Sequence, residues 1–185
     1  MKIEVLSEYG FFESLLGLGL SHGLTSSSTI DDVAMDPTRL KGIALSLAGK
    51  GHGHDKFLRM MTVTLDITAP LYWWKEFDTY KVGTVAQSES TMHTLMDKPF
   101  ELGMFEGGMG LETLHHLERA RQSGDFEYVN RNLPQSFLQR RIIMTNYAAL
   151  HNILNQRKGH KLREWSEFIH GVLDGVGHAA LLQNN

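Results

Sequence analysis

The stretch LHNILNQR at positions 150–157 carries the most information about the fold of this 185-residue sequence. It closes a longer segment, 134–156, that contains no glycine and no proline after its first residue. Apolar side chains recur along this segment at helical spacing, so we predict a single long helix there. A glycine at 159 interrupts the pattern, and a second helix is predicted over 162–176.

Elsewhere the sequence predicts a few strands among predominant helices. Alternating polar and apolar residues predict strands over 2–6 and 61–67. Helices are predicted over the ranges 11–20, 36–48, 71–77 and 111–122. Loops are predicted over 25–29, 81–89 and 100–110, and the last of these is rich in glycine and predicted to be mobile. This pattern is typical of the α/β or α+β class, and the length fits one domain over 1–185.

Composition excludes several classes of protein. Hydrophobic residues make up 42% and charged residues 21%, which is typical of a globular chain. The net charge of −3 does not suit a general nucleic-acid binder, and no apolar run approaches the roughly 20 residues of a membrane span. The chain has no cysteine, so it has no disulfide and no thiol nucleophile. Because we see no signal peptide either, we expect a cytoplasmic protein.

Two regions in the same order resemble the flavin-dependent thymidylate synthases. In the first, Gly53-His54 precedes a strand, an aromatic helix and a polar loop that ends at 87–93. That family has a glycine-histidine pair, a strand, a helix and then a signature of the form R-H-R…S-x-N-E-x-S-x-R-Y. In the second, Leu133-Pro134, Asn146, Asn152 and Arg157 reproduce the family's order and typical spacing. Together the two regions cover about two thirds of the chain.

The resemblance implies a fold with a small sheet and long C-terminal helices, and a homotetramer with flavin sites at subunit junctions. It also implies a reaction in which a one-carbon unit passes from methylenetetrahydrofolate to deoxyuridine monophosphate (dUMP). Reduced FAD supplies the hydride, and NADPH is the upstream donor. The partner is thus a small nucleotide, with no nucleic acid or membrane expected. Such a reaction needs no cysteine nucleophile, in agreement with this composition.

The resemblance also implies roles for individual residues. The catalytic residue is Arg157, which contacts and polarises the pyrimidine. The residues implied to bind the cofactor are His54, Lys81, Asn146 and Asn152. Those implied to bind the substrate are Gln87, Ser90 and Arg131. No metal is expected, because His52 and His54 have no third ligand at a recognised spacing.

The sequence departs from the family at the residues that grip phosphate. The three basic signature positions fall on Thr79, Tyr80 and Lys81, so one of three stays basic. The signature's last arginine falls on Met92, which cannot bind phosphate. An arginine fork grips phosphate bidentately, whereas lysine acts as a point charge. The arginines that could replace the lost ones are Arg131, Arg140 and Arg141.

Simpler interpretations stay open for each feature. Lys81 and the polar residues of LHNILNQR could be solvated, and 87–90 could cap a helix. On a single helix Asn146 and Asn152 would lie about 240° apart, so they would not share a face. The aromatic residues at positions 73, 74, 77 and 80 favour core packing over base stacking. The alternative functions are a nucleotide- or flavin-binding protein that has lost the reaction, and a structural homo-oligomer.

Overall fold

The computed structural model describes residues 1–183 as a mixed α/β chain. The strands are β1 (Lys2–Tyr9), β2 (Thr62–Pro70), β3 (Val85–Ser88) and β4 (Leu138–Asn146). The first six helices are α1 (Phe11–Gly19), α2 (Ile30–Met35), α3 (Thr38–Leu47), α4 (Leu71–Phe77), α5 (Thr91–Thr94) and α6 (Leu111–Gln122). The remaining four are α7 (Phe126–Asn132), α8 (Tyr147–Arg157), α9 (Arg163–Gly175) and α10 (Ala180–Gln183). Two short 3-10 helices cover Lys56–Arg59 and Leu102–Met104.

The four strands form one antiparallel sheet in the order β1-β2-β4-β3. The register of β2 against β4 is set by two flanking backbone bonds. The amide of Tyr147 donates to the carbonyl of Met61 across 2.9 Å, and the amide of Leu71 donates to that of Phe137 across 3.0 Å. The strand β3 is an edge strand, and all four of its residues are exposed. The predicted class, a small sheet with long C-terminal helices, is confirmed.

The described chain divides into two compact units. The first unit contains residues 1–2, 66–79 and 86–142. The second unit contains residues 3–65, 80–85 and 143–183 of the described chain. The single domain over 1–185 stays a prediction, and its last two residues lie outside the described residues.

The first unit is built on aromatic packing. The helix α4 starts directly after Pro70 and buries Trp73, Trp74 and Phe77. The ring centroids of the two tryptophans lie 4.9 Å apart at an edge-to-face angle, which is a favourable arrangement for aromatic rings. A second cluster in this unit buries Leu95, Phe100, Phe105, Leu117 and Val129. The preference for core packing at positions 73, 74 and 77 is therefore confirmed, because these side chains are at most 2% exposed.

The second unit packs its helices around the apolar face of α8. Leu150 and Ile153 of that helix are fully buried, as are Trp165 and Phe168 of α9. The short helix α2 was not predicted, although its start carries a capping box. The Thr29 side chain accepts from the amide of Asp32, and the Asp32 carboxylate accepts from the amide of Thr29.

Two sequence predictions were wrong in the region that carries the predicted site residues. The predicted helix over 134–156 is two elements, because Leu138–Asn146 is the strand β4 and the helix α8 begins only at Tyr147. The sequence of β4 includes neighbouring isoleucines, and β-branched residues pack well on a pleated surface. The predicted loop over 81–89 contains the edge strand β3, whose four residues are too few for a periodic signal.

Candidate functional site

Arg157 is the last residue of α8, and its guanidinium packs against two aromatic rings. The central carbon of the guanidinium lies 4.5 Å from the ring centroid of Trp165 and 5.3 Å from that of Tyr80. Its Nε donates a hydrogen bond to the phenolic oxygen of Tyr80 across 2.7 Å. Because Trp165 is fully buried, it is a fixed platform for the half-buried arginine. Stacking and the hydrogen bond together set the plane of the guanidinium.

A chain of hydrogen bonds connects Arg157 with Asn152. The hydroxyl of Tyr80 donates to Oε1 of Gln156 across 3.1 Å. Nε2 of Gln156 then donates to Oδ1 of Asn152 across 3.0 Å. Asn152 and Arg157 are five positions apart and do not share a helix face. They are nevertheless joined, because Tyr80 hydrogen-bonds to both Gln156 and Arg157 of α8. Tyr80 belongs to the segment 79–93, onto which the family signature falls and which is called the signature loop below.

Asn146 lies between β4 and α8 and caps the helix. Its Oδ1 accepts from the amide of Ala149 across 2.9 Å. Its Nδ2 faces Gly83 so closely that a Cβ on this glycine would lie 2.6 Å from the nitrogen. Gly83 has a φ of +72°, which L side chains rarely adopt.

A second contact holds the same loop. The hydroxyls of Thr84 and Thr145 form a hydrogen bond across 3.0 Å. The loop around Lys81 is thus held against the start of α8, while the Lys81 side chain is exposed.

His54 is exposed in a turn of unusual backbone conformation. Gly51, His52 and Gly53 all have positive φ, and the carboxylate of Asp55 accepts from the amide of Gly51 across 3.1 Å. His54 contributes to a cavity of about 290 Å³ whose other lining residues are Gly17, Leu18, Ser21, Lys56, Phe57 and Met60. This volume is at the lower end of the range for small-molecule pockets. The cavity has apolar walls with a few polar groups.

Gln87 and Ser90 lie at the end of the signature loop in the first unit. Gln87 lines a cavity of about 390 Å³ together with Ser88, Glu89, Arg140 and Ile142. Ser90 precedes α5, and its side chain makes no capping hydrogen bond. Its carbonyl instead accepts from the Thr94 hydroxyl across 2.7 Å.

The three arginines proposed as replacements each pair with a carboxylate. Nε of Arg140 donates to both Asp66 oxygens, at 2.9 and 3.1 Å. This hydrogen bonding lowers the pKa of Asp66, which burial alone would raise, and the charges of Arg140 and Lys2 lower it further.

The other two arginines have different surroundings. Arg141 donates to Asp78 across 2.7 Å, and its guanidinium carbon lies 4.3 Å from the ring centroid of Trp74. Arg131 pairs with Glu127 across 2.8 Å on the solvent-facing side of helix α7, where both side chains are exposed. Of the three arginines, Arg140 is the one that lines the cavity of Gln87.

The structure therefore groups the predicted site residues into two sets. In the second unit Asn152 and Arg157 are joined, Asn146 contacts the loop of Lys81, and His54 lines its own cavity. In the first unit Gln87 lines a cavity with Arg140, and Ser90 and Arg131, the other two residues predicted to bind the substrate, are not among the residues that line it.

Sequence reasoning missed Tyr80, Gln156 and Trp165 as parts of the site. Tyr80 was noted only as a lost basic residue and an aromatic core candidate. Gln156 had a usable signal, because it lies four positions after Asn152 on the same helix. Trp165 had none, because its contact with Arg157 depends on how α9 packs.

Among residues 1–183, no group of three or more histidine, aspartate or glutamate side chains is placed to hold a metal ion. In the same part of the chain, no helix is both long and apolar enough to cross a membrane.

Comparisons with known proteins identify the fold. No family model and no curated protein matches the sequence. Two structures of thymidylate synthase X (ThyX) from Helicobacter pylori with FAD and dUMP are similar to this chain at TM-scores of 0.81 and 0.80, with 12% and 14% identity. In both cases the match covers 99% of this chain and 98% of the other. A UMP/dUMP methylase, PolB from Streptomyces cacaoi bound with 5-Br UMP, is similar at a TM-score of 0.64 and 12% identity, covering 98% and 92%.

These likenesses define a class of protein with a small antiparallel sheet and surrounding helices. The chain has the fold of the flavin-dependent thymidylate synthases, and at 12–14% identity its sequence is strongly divergent from the ThyX structures. The resemblance inferred from the sequence is thus confirmed at the level of the fold.

Proposed function

We propose that this chain is a flavin-dependent methyltransferase that acts on dUMP or a related pyrimidine nucleotide. The observation that carries the proposal is the likeness over nearly the whole chain to ThyX structures that contain FAD and dUMP. In this proposal methylenetetrahydrofolate donates the one-carbon unit and NADPH reduces the flavin. We further propose a homotetramer located in the cytoplasm.

The cavity beside His54 supports a flavin ring as the cofactor. Its walls include Phe57 and Met60, and its polar groups include Ser21 and Lys56. An apolar slot with a few polar groups suits a planar ring system that needs donors at its edge. We assign the binding of the rest of the cofactor to Lys81, Asn146 and Asn152. Asn146 lies against the loop that contains Lys81, and Asn152 ends the series of hydrogen bonds that starts at Arg157.

Arg157 is the residue to which we assign the stabilisation of the pyrimidine. FAD, when bound and reduced, supplies a hydride. The guanidinium of Arg157 donates hydrogen bonds in a fixed plane, and such donors stabilise negative charge that develops on carbonyl oxygens. Gln87, Ser90 and Arg131 are proposed to bind the nucleotide. Arg140 joins them as a candidate, because it lines the cavity of Gln87.

The first experiment is a visible absorbance spectrum of the protein after incubation with FAD and removal of unbound ligand. A retained flavin band supports the cofactor site, and a colourless protein contradicts it. The second experiment measures tritium release from dUMP labelled at carbon 5, with methylenetetrahydrofolate and NADPH present. Turnover-dependent release supports the methyltransferase.

A pair of variants locates the chemistry. Arg157→Ala should abolish tritium release while FAD stays bound. Arg119→Ala is the matched control, because Arg119 is an exposed arginine of α6. Turnover at the wild-type rate in Arg157→Ala would remove Arg157 from the mechanism.

A second candidate function is a nucleotide- or flavin-binding protein that has lost the reaction. The pairing of Arg131, Arg140 and Arg141 with carboxylates favours it, because these cations are already partly neutralised. FAD and dUMP binding without tritium release would establish this alternative. A structural homo-oligomer would bind neither ligand.

A further inference from the structure

Tyr80 occupies a position at which the resemblance expects a basic residue, and it is bonded to the arginine assigned to catalysis. We propose that Tyr80 is a positioning residue that orients Arg157, and that Gln156 orients Tyr80. The expected effect of Tyr80 on dUMP binding rests on the proposed function. The hydrogen-bonded chain itself can be tested without any ligand.

The direction of each hydrogen bond follows from the chemistry of the groups. Nε of arginine carries a proton and can only donate, so the Tyr80 oxygen accepts from Arg157. The single hydroxyl proton of Tyr80 is then directed to Oε1 of Gln156. Nε2 of Gln156 donates in turn to Oδ1 of Asn152. In these three hydrogen bonds every oxygen accepts and every N–H or O–H donates, so they all run in one direction, from Arg157 to Asn152.

This arrangement restricts the guanidinium in two ways. The guanidinium is planar, so the bond at Nε also sets the positions of the two Nη groups. Stacking on the buried ring of Trp165, at 4.5 Å, resists rotation out of that plane. An arginine at the end of a helix would otherwise have many rotamers, and fixing them before the ligand arrives lowers the entropic cost of binding.

Tyr80 has an advantage over a basic residue at this place. A second cation beside Arg157 would repel its charge, whereas the phenolic oxygen of Tyr80 accepts a hydrogen bond from its Nε–H and the ring face attracts the guanidinium. The replacement of the basic residue therefore changes the function of the position from gripping a ligand to holding Arg157. This explains how one of the departures from the family pattern fits the rest of the site.

The test uses Tyr80→Phe, which removes one oxygen and keeps the ring. Tyr9→Phe is the matched control, because Tyr9 is an exposed tyrosine of β1. In protein labelled with ¹⁵N-arginine, the Nε–H signal of Arg157 is identified by its absence in Arg157→Lys. We expect this proton to exchange with water at least about tenfold faster in Tyr80→Phe than in the wild type, and unchanged in Tyr9→Phe.

The second readout is the dissociation constant of dUMP, measured by calorimetry on FAD-loaded protein. We expect it to rise about tenfold in Tyr80→Phe, and by less in Gln156→Leu. Gln156→Glu should bind dUMP more tightly than Gln156→Leu, because a carboxylate still accepts the hydrogen bond of the Tyr80 hydroxyl although it no longer donates to Asn152. Unchanged exchange together with unchanged dUMP affinity in Tyr80→Phe would overturn the proposal.

The two proposals fail in different ways. If the wild type binds neither FAD nor dUMP, the proposed function falls. The Nε–H exchange then still decides the role of Tyr80: faster exchange in Tyr80→Phe supports it, and wild-type exchange overturns it. If Tyr80→Phe is unstable, Gln156→Leu provides the same decision, because it removes the acceptor that orients the Tyr80 hydroxyl.

Discussion

The hydroxyl of Tyr147 donates to the carboxylate of Glu8 across 2.8 Å, although 139 residues separate the two in sequence. Tyr147 is fully buried at the start of α8, so this bond ties β1 to the helix that carries Arg157. Glu8 also accepts from the amide of Gly177 across 2.7 Å. Burial, followed by the hydrogen bond and charge of Glu8, raises the pKa of Tyr147.

Replacing Glu8 should therefore destabilise the fold. In Glu8→Leu the buried Tyr147 hydroxyl and the Gly177 amide both lose their acceptor, and we expect a loss of about 3 kcal/mol in the free energy of unfolding. Tyr147→Phe removes the donor and should cost about 1 kcal/mol. Urea denaturation measures both, with the exposed Glu13→Leu as control. A loss for Glu8→Leu no larger than for Glu13→Leu would contradict this role.

Acidification should destabilise the fold through His178. Its ring stacks on Phe11 with centroids 3.5 Å apart. The pKa of His178 is lowered, mainly because burial disfavours the charged ring. Glu8, 3.6 Å from Nε2, favours the charged ring, but burial outweighs this attraction, and the charge of Lys41 lowers the pKa further. A depressed pKa means that the folded state favours the neutral ring. The stability it contributes is present above the ordinary pKa of about 6.5 and is lost as the pH falls through the lower, folded-state pKa.

The measurement is the free energy of unfolding between pH 8 and 5, by urea denaturation, for the wild type and His178→Gln. We expect the wild type to lose more stability over this range than the variant does. Identical pH profiles would show that His178 titrates alike in the folded and unfolded states.

Glu118 should stabilise the first unit at neutral pH. Its carboxylate accepts from Nε and Nη2 of Arg121, at 2.8 and 2.6 Å, and from the amide of Phe100 at 3.1 Å. Hydrogen bonding to Arg121 is the main cause that lowers the pKa of Glu118 to about 2. The contribution of Glu118 to the stability of the fold is present above its ordinary pKa near 4.5 and disappears as the pH falls towards 2.

Glu118→Gln should accordingly cost about 2 kcal/mol at pH 7 and much less at pH 3. The exposed residue Glu112 of the same helix is the matched position, and Glu112→Gln should change stability little. Chemical denaturation at the two pH values gives the comparison. An equal cost of Glu118→Gln at both would refute the assignment.

Variants of Asn146 should separate its cap from its proposed role with the cofactor. Asn146→Ala removes the acceptor for Ala149 and should cost about 1 kcal/mol, whereas Asn146→Asp keeps the cap. If Asn146 binds FAD, the aspartate variant should stay stable and lose flavin affinity. FAD titration and thermal unfolding of both variants measure this, and full FAD affinity in Asn146→Asp would leave Asn146 with a structural role alone.

Gly83→Ala should disturb the same contact from the other side. A Cβ there would lie 2.6 Å from Nδ2 of Asn146, on a residue whose φ is +72°. We expect a loss of more than 1 kcal/mol from strain alone. Gly124→Ala is the control, because this glycine also has a positive φ, +76°, and a Cβ at this position meets nothing within 4 Å. Thermal unfolding of the two variants decides whether the contact matters.

Local patterns were sufficient where an element depends on its own residues. The helices α4 and α6 were predicted with their observed bounds, because apolar residues at helical spacing and a preceding proline or glycine mark them clearly. The start of α2 also carried its signal, a threonine with an aspartate three positions later, and the prediction overlooked it.

The region of Asn146 shows where local patterns fail. The segment 134–156 has no helix breaker, and its periodicity favoured one helix. Pairing of Leu138–Asn146 with β2 and β3 makes it a strand instead, and that pairing depends on residues about 50 to 80 positions away in sequence. Asn146 and Asn152 are therefore not two positions about 240° apart on one helix, as predicted, since Asn146 precedes the helix.

The sequence by itself determined the class of fold, the bounds of α4 and α6, and the order of motifs that resembles the flavin-dependent thymidylate synthases. These features depend on periodicity and spacing along the chain, which local residue types specify. The tertiary structure alone decided that Tyr80 holds Arg157, that Trp165 supports it, and that Arg140 pairs with Asp66. These contacts join residues far apart in sequence, and only the packing of helices and strands brings such side chains within hydrogen-bonding distance.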